Sequence, residues 1–546
     1  MVGGYGVFGG RLARALVRDP RLEVIVAGRD VAAAGRHCRA FGGTPLAFDL
    51  AAVDLVGRLQ SLAPFLVIDA AGPFQGARPR LAEAGLAAGA HYFDLSDDAD
   101  FTAGMARLDA DARARGLVVL SGVSSVPALS SAVVEALRQG IDDLHLIESV
   151  ILPGNRAPRG LSVVRAITGQ AGQPLRHWQA GAWVRAPAWG DLARHRLAVP
   201  GHKPLGRRWA SRIGAPDLLL FPAHFRARGV RFAAGLELSL MHLGLWALGG
   251  LVRLGLLRGL APLAPLLRRV AEGLKPFGSD RGGMMVTVAG LDAGGRALQR
   301  RWTLIAEAGD GPEVPGLPAR ILCNRLLAGA LAPGARPCLA EFTLAEAAAA
   351  MAVHRLAQAT VETALPLLFA GALGPAFERL PPVLQDLHRV VDSRRWRGRA
   401  SVERGPGLLS RLLGGLLRLP PAAPDVAVEV LMTRQGKGEI WRRDFGGRQF
   451  RSILRPGHPV SEGFGPLRFT LGLRPEGEAL LFPVTAGRLL GLPLPRCLLP
   501  VSTTAETVDD RGRACFDVAI RMPLAGEIIR YRGWLVPADD CASPPP

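Results

Sequence analysis

Met1-Val2-Gly3-Gly4-Tyr5-Gly6-Val7-Phe8-Gly9-Gly10, continuing into Arg11-Leu12-Ala13-Arg14-Ala15-Leu16, decides how the N-terminal part of this chain folds. Gly4-x-Gly6-x-x-Gly9 is the glycine pattern of a dinucleotide-binding turn that joins a strand to a helix. Gly4 permits the tight turn, Gly6 lets a pyrophosphate approach the backbone, and Gly9 lets the helix lie close to the sheet. A helix over 11–16 would aim its N-terminal N–H groups and dipole at the phosphates. With 67 glycines in the chain the pattern also arises by chance, so its neighbours have to support it.

The support comes from Leu22-Glu23-Val24-Ile25-Val26-Ala27, a short β-branched run that ends in Gly28-Arg29-Asp30. It reads as a second strand with a charged group at its carboxyl end, about 20 residues after the fingerprint. An acidic residue there would accept the ribose hydroxyls of NAD. Here the first charged side chain is Arg29, whose guanidinium suits the 2′-phosphate of NADP(H). In an arginine-rich chain Arg29 also reads as a solvated turn residue, but the position rule favours NADP(H). The strand before the fingerprint is short, because only Met1-Val2 precede it. Losing about four buried aliphatic residues costs roughly 6–12 kcal/mol, at about 1.5–3 each. The expectation is a truncated first strand, with the natural protein beginning upstream of Met1.

Further along, short apolar strands alternate with helical stretches. Strands are expected at 45–50, 65–70, 91–95 and 116–122, with helices at 31–43, 54–62, 77–90 and 103–115. This alternation implies a parallel, doubly wound sheet whose ligands bind at the carboxyl ends of its strands. The candidate cofactor contacts are therefore Gly4, Tyr5, Gly6, Val7, Phe8 and Gly9, with Arg29, Asp49 and Ala71-Gly72-Pro73. Asp49 would lie near the adenine. Asp94-Leu95-Ser96 and Gly122-Val123-Ser124 complete the same rim.

Gly-Gly-Tyr-Gly-x-Phe-Gly, Ala70-Ala71-Gly72-Pro73-Phe74, His91-Tyr92-x-Asp94-Leu95-Ser96 and Gly122-x-Ser124-Ser125-Val126-Pro127 occur in order. Together they resemble the NADP-binding domain of the saccharopine dehydrogenase/reductase-like family over residues 1–135. The resemblance implies a Rossmann-type oxidoreductase domain with a second domain inserted after the sixth strand. It leaves the substrate open, since that family includes amino-acid-forming enzymes, a lipid-pathway enoyl reductase and members of unknown activity.

Residues 136–365 would be that second, α+β domain, with strands at 144–152, 161–168, 281–288 and 301–306, a helix at 318–331 and an Ala-rich helix at 342–360. Within it lies the most apolar stretch of the chain, 232–252, interrupted by Glu237, Ser239 and His242 and followed by Arg253, Arg258, Arg268 and Arg269. Its length reaches the membrane-spanning range, but four glycines and Glu237 argue against a simple span. Three readings of 232–269 stay open: a buried helical hairpin, an interfacial segment held at anionic lipid by its basic flank, or a true span.

Residues 366–380 read as a Gly/Pro/Leu-rich connection. From 380 to 537 short strands dominate (426–432, 439–445, 450–455, 467–475, 477–484, 514–521, 526–536) with turn signals between them, which reads as a mostly antiparallel β domain. That region resembles the DUF4166 domain. The tail at 541–546 reads as unstructured.

Composition narrows the partners. The chain has 546 residues, 49% of them hydrophobic, and a net charge of +19. Nearly all the positive charge is arginine, which with abundant Ala, Gly and Pro fits a GC-rich, bacterial genome. The basic residues are dispersed and few aromatics accompany them, which argues against nucleic acid as a partner. The six cysteines show no C-x-x-C and no zinc spacing, so no metal site is read and a reducing cytoplasm is expected. Hydride transfer needs positioning and at most one proton donor. Tyr92, Asp94 and Ser124 could supply the proton, although Tyr92 also reads as packing and Asp94 and Ser96 as caps of the next helix. The catalytic group stays unassigned. The leading expectation is an NADP(H)-dependent oxidoreductase, a reductase of an apolar or lipid-like small molecule, in the cytoplasm or at the inner face of the membrane. The alternative is a non-catalytic NADP-binding scaffold at a membrane surface.

Overall fold

The computed structural model describes residues 1–523 and 525–538; the tail at 541–546, with Cys541, lies outside them. Five short strands open the chain: β1 (Ile25–Gly28), β2 (Thr44–Ala47), β3 (Leu66–Asp69), β4 (His91–Asp94) and β5 (Val118–Ser121). β1 pairs with β2, and β3, β4 and β5 pair in order, all parallel. Val2 joins the two groups through parallel bridges to Ala27 and Asp69. Its N–H donates to the Ile68 carbonyl at 2.8 Å and its carbonyl accepts from Ala70 at 2.9 Å. The strand order therefore reverses at Val2, as in a doubly wound sheet, and β1 and β3 beside it, like β4 and β5, are buried on both faces.

After β5 the chain leaves this sheet. It forms β6 (Asp143–Leu152), β7 (Pro174–Gln179), β8 (Ala182–Pro187), β9 (Ala193–His195), β10 (Arg208–Arg212), β11 (Val230–Gly235), β12 (Gly282–Leu291) and β13 (Ala297–Ala306). It then returns as β14 (Gly334–Pro337), parallel to β5, before β15 (Leu356–Ala364) closes the inserted sheet. That mixed sheet runs β15-β13-β12-β6-β11-β10-β9, with the β7–β8 hairpin attached to β11. One continuous core joins the two sheets: Ile68, Phe93 and Leu120 of the first share it with Ile147, Val286 and Trp302 of the second, and Leu12 of the Gly9–Leu16 helix and Phe221 of the Pro216–Phe225 helix belong to it too. The other face of the parallel sheet has its own core around Val67, Tyr92 and Val119.

The inserted region corrects three expectations. Residues 161–168 form the helix Leu161–Gln170, not a strand. Val163, Val164, Ile167 and Thr168 are β-branched, a composition that strands share, but the Thr168 hydroxyl turns back onto the Val164 carbonyl at 2.8 Å, an i to i−4 bond of a helix. The Ala-rich helix ends at Met351; residues 356–364 pair along the whole of β13 as an edge strand, where tertiary pairing overrides helical propensity. The apolar run at 232–252 divides into β11 and the helix Ser239–Arg253, and among the described residues no helix is long and apolar enough to cross a membrane.

Glu237, the acidic residue in that run, is a structural anchor. Its carboxylate accepts from Arg208 at 2.6 Å, the Asn155 N–H at 2.6 Å, and the Ser279 hydroxyl and N–H at 2.6 and 2.9 Å. Burial opposes the charge, yet these donors hold the carboxyl below its usual range. Three segments distant in sequence meet on one side chain.

The C-terminal region begins with the helices Leu368–Leu373 and Pro382–His388, which pack into its core rather than forming a loose connection. Fourteen strands among the described residues form one antiparallel sheet. At its centre Gly526–Pro537, Ser393–Arg404 and Ala423–Gln435 lie side by side. Trp396, Ala400 and Val402 face the core while Arg397 and Arg399 face solvent. Asp392 pairs with Arg231 of β11 at 2.7 Å and ties this region to the inserted sheet.

Glu237→Ala removes the counter-charge of Arg208, which is 5% exposed. It should lower stability by about 3–5 kcal/mol in urea unfolding, the effect of stranding one member of a buried pair. A loss below about 1 kcal/mol would mean that the pair is screened like a surface one.

Candidate cofactor-binding site

The fingerprint lies at the carboxyl end of the central strand position. The left-handed conformation falls on Gly3 (φ 75°), one residue before the expected tight turn at Gly4. A Cβ on Gly3 would lie 2.7 Å from the Ala70 carbonyl carbon, and one on Gly9 only 2.3 Å from the Gly3 carbonyl oxygen. Gly9 thus sets how closely the Gly9–Leu16 helix approaches the sheet. The Gly6 N–H closes the turn onto the Gly3 carbonyl at 2.9 Å, and Gly6 itself faces solvent. Phe8 at the helix N-cap makes no side-chain cap, so the first turn carries no internal anion, although the Gly10 N–H already donates to the Gly6 carbonyl at 2.9 Å. Arg14 holds the helix from below through Glu313, at 2.6 Å.

The Tyr5 ring covers the end of β1. A Cβ on Gly28 would come within 2.4 Å of it, and the Tyr5 hydroxyl accepts the Asp30 N–H at 3.1 Å. The Asp30 carboxylate is used elsewhere, accepting from the Ala33 N–H at 2.9 Å as cap of the Val31–Phe41 helix. Arg29 is left as the exposed charged side chain at that strand end. Asp49, at the end of β2, is also exposed and accepts from the Ala51 N–H at 3.0 Å, which turns the chain. Ala71-Gly72-Pro73 follow β3; the Ala71 N–H is held by Asp69 at 2.9 Å and the Gly72–Pro73 peptide is cis. Gln75 reaches Asp97 at 3.0 Å and fastens this loop to the one after β4. The turn, Arg29 and Ala71–Pro73 therefore converge on the ends of adjacent strands, with Asp49 one strand further out. A small-residue cradle, an uncapped helix start and one exposed guanidinium fit a dinucleotide.

Beneath the rim lies a buried carboxyl cluster. Asp94 is fully buried, and its Oδ1 accepts from the Ser96 N–H at 3.0 Å, the Ser121 hydroxyl at 3.0 Å and the Gly122 N–H at 2.8 Å. It stitches β4 to the loop after β5. The expected cap of the next helix is not Asp94 or Ser96 but Asp98, which accepts from the Phe101 N–H at 2.8 Å. Tyr92 is fully buried, and burial beside the carboxyls of Asp94 and Asp69 pushes its hydroxyl far above its usual value. Burial also pushes Asp94 up to about 7 and Asp69 up to about 6. Of the three expected donors, Ser124 is half-buried and reaches the rim, whereas Tyr92 and Asp94 are enclosed.

Sequence reasoning missed Asp69 and Asp217. Asp217, in the helix Pro216–Phe225, accepts from the hydroxyls of Ser130 at 3.1 Å and Ser149 at 3.0 Å, and burial pushes it up to about 7. It joins the end of the first sheet's wrapping to β6. An aspartate at a helix start reads as a cap, and nothing local marks it as a bridge between two sheets.

Residues 380–535 match the model of the family described as Domain of unknown function (DUF4166). None of the curated proteins compared with the chain matches it. Among solved structures, the chain is similar to apo saccharopine dehydrogenase (L-Glu forming) from Saccharomyces cerevisiae, with 14% identity, TM-score 0.47, 66% of this chain covered and 99% of that one. It is also similar to KijD10, a 3-ketoreductase from Actinomadura kijaniata in complex with NADP, with 14% identity, TM-score 0.28, and 60% and 88% covered. A third is GenD2 from gentamicin A biosynthesis in complex with NAD, with 15% identity, TM-score 0.30, and 64% and 90% covered.

Asp94→Asn keeps the Oδ1 acceptor and removes the titration. The folded value of Asp94, about 7, lies above the ordinary carboxyl value. Its contribution to stability is therefore complete at low pH and lost as pH rises through about 7. Between about pH 4 and 7 the variant should gain on the wild type by up to about 1.4 kcal/mol per pH unit. Parallel unfolding midpoints across that range would show that the carboxyl titrates normally.

Proposed function

We propose that the chain is an NADP(H)-dependent oxidoreductase, a reductase of an apolar, lipid-like small molecule. The observation that carries this reading is the Gly3–Gly9 turn at the point where strand order reverses, beneath an uncapped helix start. In this reading Gly4, Tyr5, Gly6, Val7, Phe8 and Gly9 cradle the pyrophosphate, Arg29 takes the 2′-phosphate, Asp49 lies toward the adenine, and Ala71–Pro73 border the nicotinamide side. A bound nicotinamide would supply the hydride. The chain's own residues would orient it. Ser124, half-buried where Tyr92 and Asp94 are enclosed, would be the hydroxyl available to a proton-transfer step.

The lipid-like character of the substrate is supported by the surface of residues 239–277. Leu240, Leu254, Leu256, Leu266, Val270 and Phe277 are exposed there, among the exposed Arg253, Arg258, Arg268 and Arg269. An apolar face set in arginines fits peripheral contact with anionic lipid at the inner face of a membrane. The enclosure of Tyr92 and Asp94 favours a second reading, an NADP-binding scaffold without turnover at that surface. Purified protein that binds NADPH yet turns over neither carbonyl nor enoyl substrates would decide for the scaffold.

NADPH should bind more tightly than NADH, and Arg29→Ala should remove about 1.5–3 kcal/mol of that preference, the worth of a charged hydrogen bond. Equal affinity of the wild type for the two cofactors, by titration calorimetry, would defeat the assignment. On flotation with anionic vesicles the protein should rise with the lipid. Leu254→Glu with Leu256→Glu should leave it at the bottom, and high salt should weaken binding by about 1 kcal/mol for each arginine at the surface.

A further inference from the structure

The C-terminal sheet encloses a cavity of about 210 Å³. Strands far apart in the sheet order, Leu467–Leu471 and Ala514–Met522, line the same space, so the sheet curls around it. Its wall is aliphatic and aromatic, as at Leu413, Val430, Leu454, Phe469, Phe482 and Ile528. Three charged side chains reach it, and each is already satisfied. Arg443 pairs with Glu462 at 3.4 Å, donates to the Ser452 hydroxyl at 2.8 Å, and lies over the Trp441 ring at 5.0 Å. Glu506 is bound to His388 Nε2 at 2.6 Å. An apolar space of this kind holds no water well and favours an apolar guest. An ionised guest would be buried with no partner left for its charge.

The elements that close the cavity carry leucines on both sides. The helix Leu408–Leu416 and the residue after it turn Leu413 and Leu417 inward, while Leu408, Leu409 and Leu412 are exposed. The strands Val484–Leu489 and Leu492–Pro493 expose Leu489, Leu490 and Leu492, and the segment that follows turns Leu494 inward. Leu498 both lines the cavity and is 37% exposed, which marks an opening.

We infer that the C-terminal β domain is a binding site for a neutral, largely aliphatic small molecule, admitted past the 494–498 segment. The inference uses the cavity alone and stands or falls separately from nicotinamide binding at the N-terminal sheet. It gives the DUF4166 region a role of its own, as a holder of a hydrophobic compound.

The full chain is titrated with the neutral fluorophore N-phenyl-1-naphthylamine. Saturable fluorescence is expected, displaced by 1-dodecanol and about tenfold or more less effectively by dodecanoate, whose carboxylate would have to be buried unpaired. Leu413→Trp and Leu498→Trp, which fill the wall and the opening, should each weaken binding about tenfold, a difference of about 1.4 kcal/mol. Leu254→Glu, on the inserted region, should leave it unchanged. Leu498 is partly exposed, so its variant keeps the melting temperature even where Leu413→Trp lowers it. Absence of saturable fluorescence, equal competition by dodecanoate, undiminished binding in Leu498→Trp, or loss of binding in Leu254→Glu would each overturn the proposal.

Discussion

Val2 and Gly3 hold the two halves of the parallel sheet together. Four backbone hydrogen bonds meet there: Val2 to Ile68, Ala70 to Val2, Gly3 to Ala27 and Ala27 to Met1, at 2.8–2.9 Å. This pairing puts the reversal of strand order beside the glycine turn, so the helix start, the β1 end and the β3 loop share one rim. Gly9 then lets the helix descend until a Cβ would touch Gly3. Close approach of backbone to backbone makes the cradle, and side chains enter it afterwards.

Buried carboxylates do the joining elsewhere. Asp94 binds two neighbouring strands, Asp217 binds the first sheet's wrapping to the inserted sheet, and Glu237 gathers three segments of the insertion. Each accepts from more than one donor, which offsets the desolvation of its charge. The difference among them is instructive. Glu237 faces a guanidinium and stays below its usual value, whereas Asp94 and Asp217 meet only hydroxyls and amides and are pushed up to about 7.

The C-terminal region is organised differently. Its sheet curls around an aliphatic space, and its charged groups near that space are cancelled internally. The arginines that dominate the composition lie largely outward, as Arg397 and Arg399 do on the central strand. High net charge therefore coexists with an apolar interior and with leucines left on the surface.

Much of the N-terminal fold was legible in the sequence because its signals are local. Glycine spacing, β-branched runs and their alternation with helices depend on residues near one another, and strands buried on both faces read as continuous apolar segments. The same holds for the turn, Arg29 and Ala71–Pro73 as neighbours on one rim. What stayed hidden depends on distant partners. β14 is four residues, Gly-Ala-Arg-Pro, and becomes a strand only because β5 has a free edge. Residues 356–364 become a strand because β13 does. In Ser393–Arg404 the inward Trp396, Ala400 and Val402 are masked by arginines and a glycine. Asp69 and Asp217 look like ordinary turn and cap residues until other elements enclose them. The amino-acid sequence by itself determined the order of strands and helices in the first sheet and the chemistry lining its rim, because steric and hydrophobic preferences act along the chain. Only the tertiary structure decided which carboxylates are buried, which apolar residues stay exposed, and that the C-terminal sheet closes around a cavity, because desolvation and packing depend on what folds against each residue.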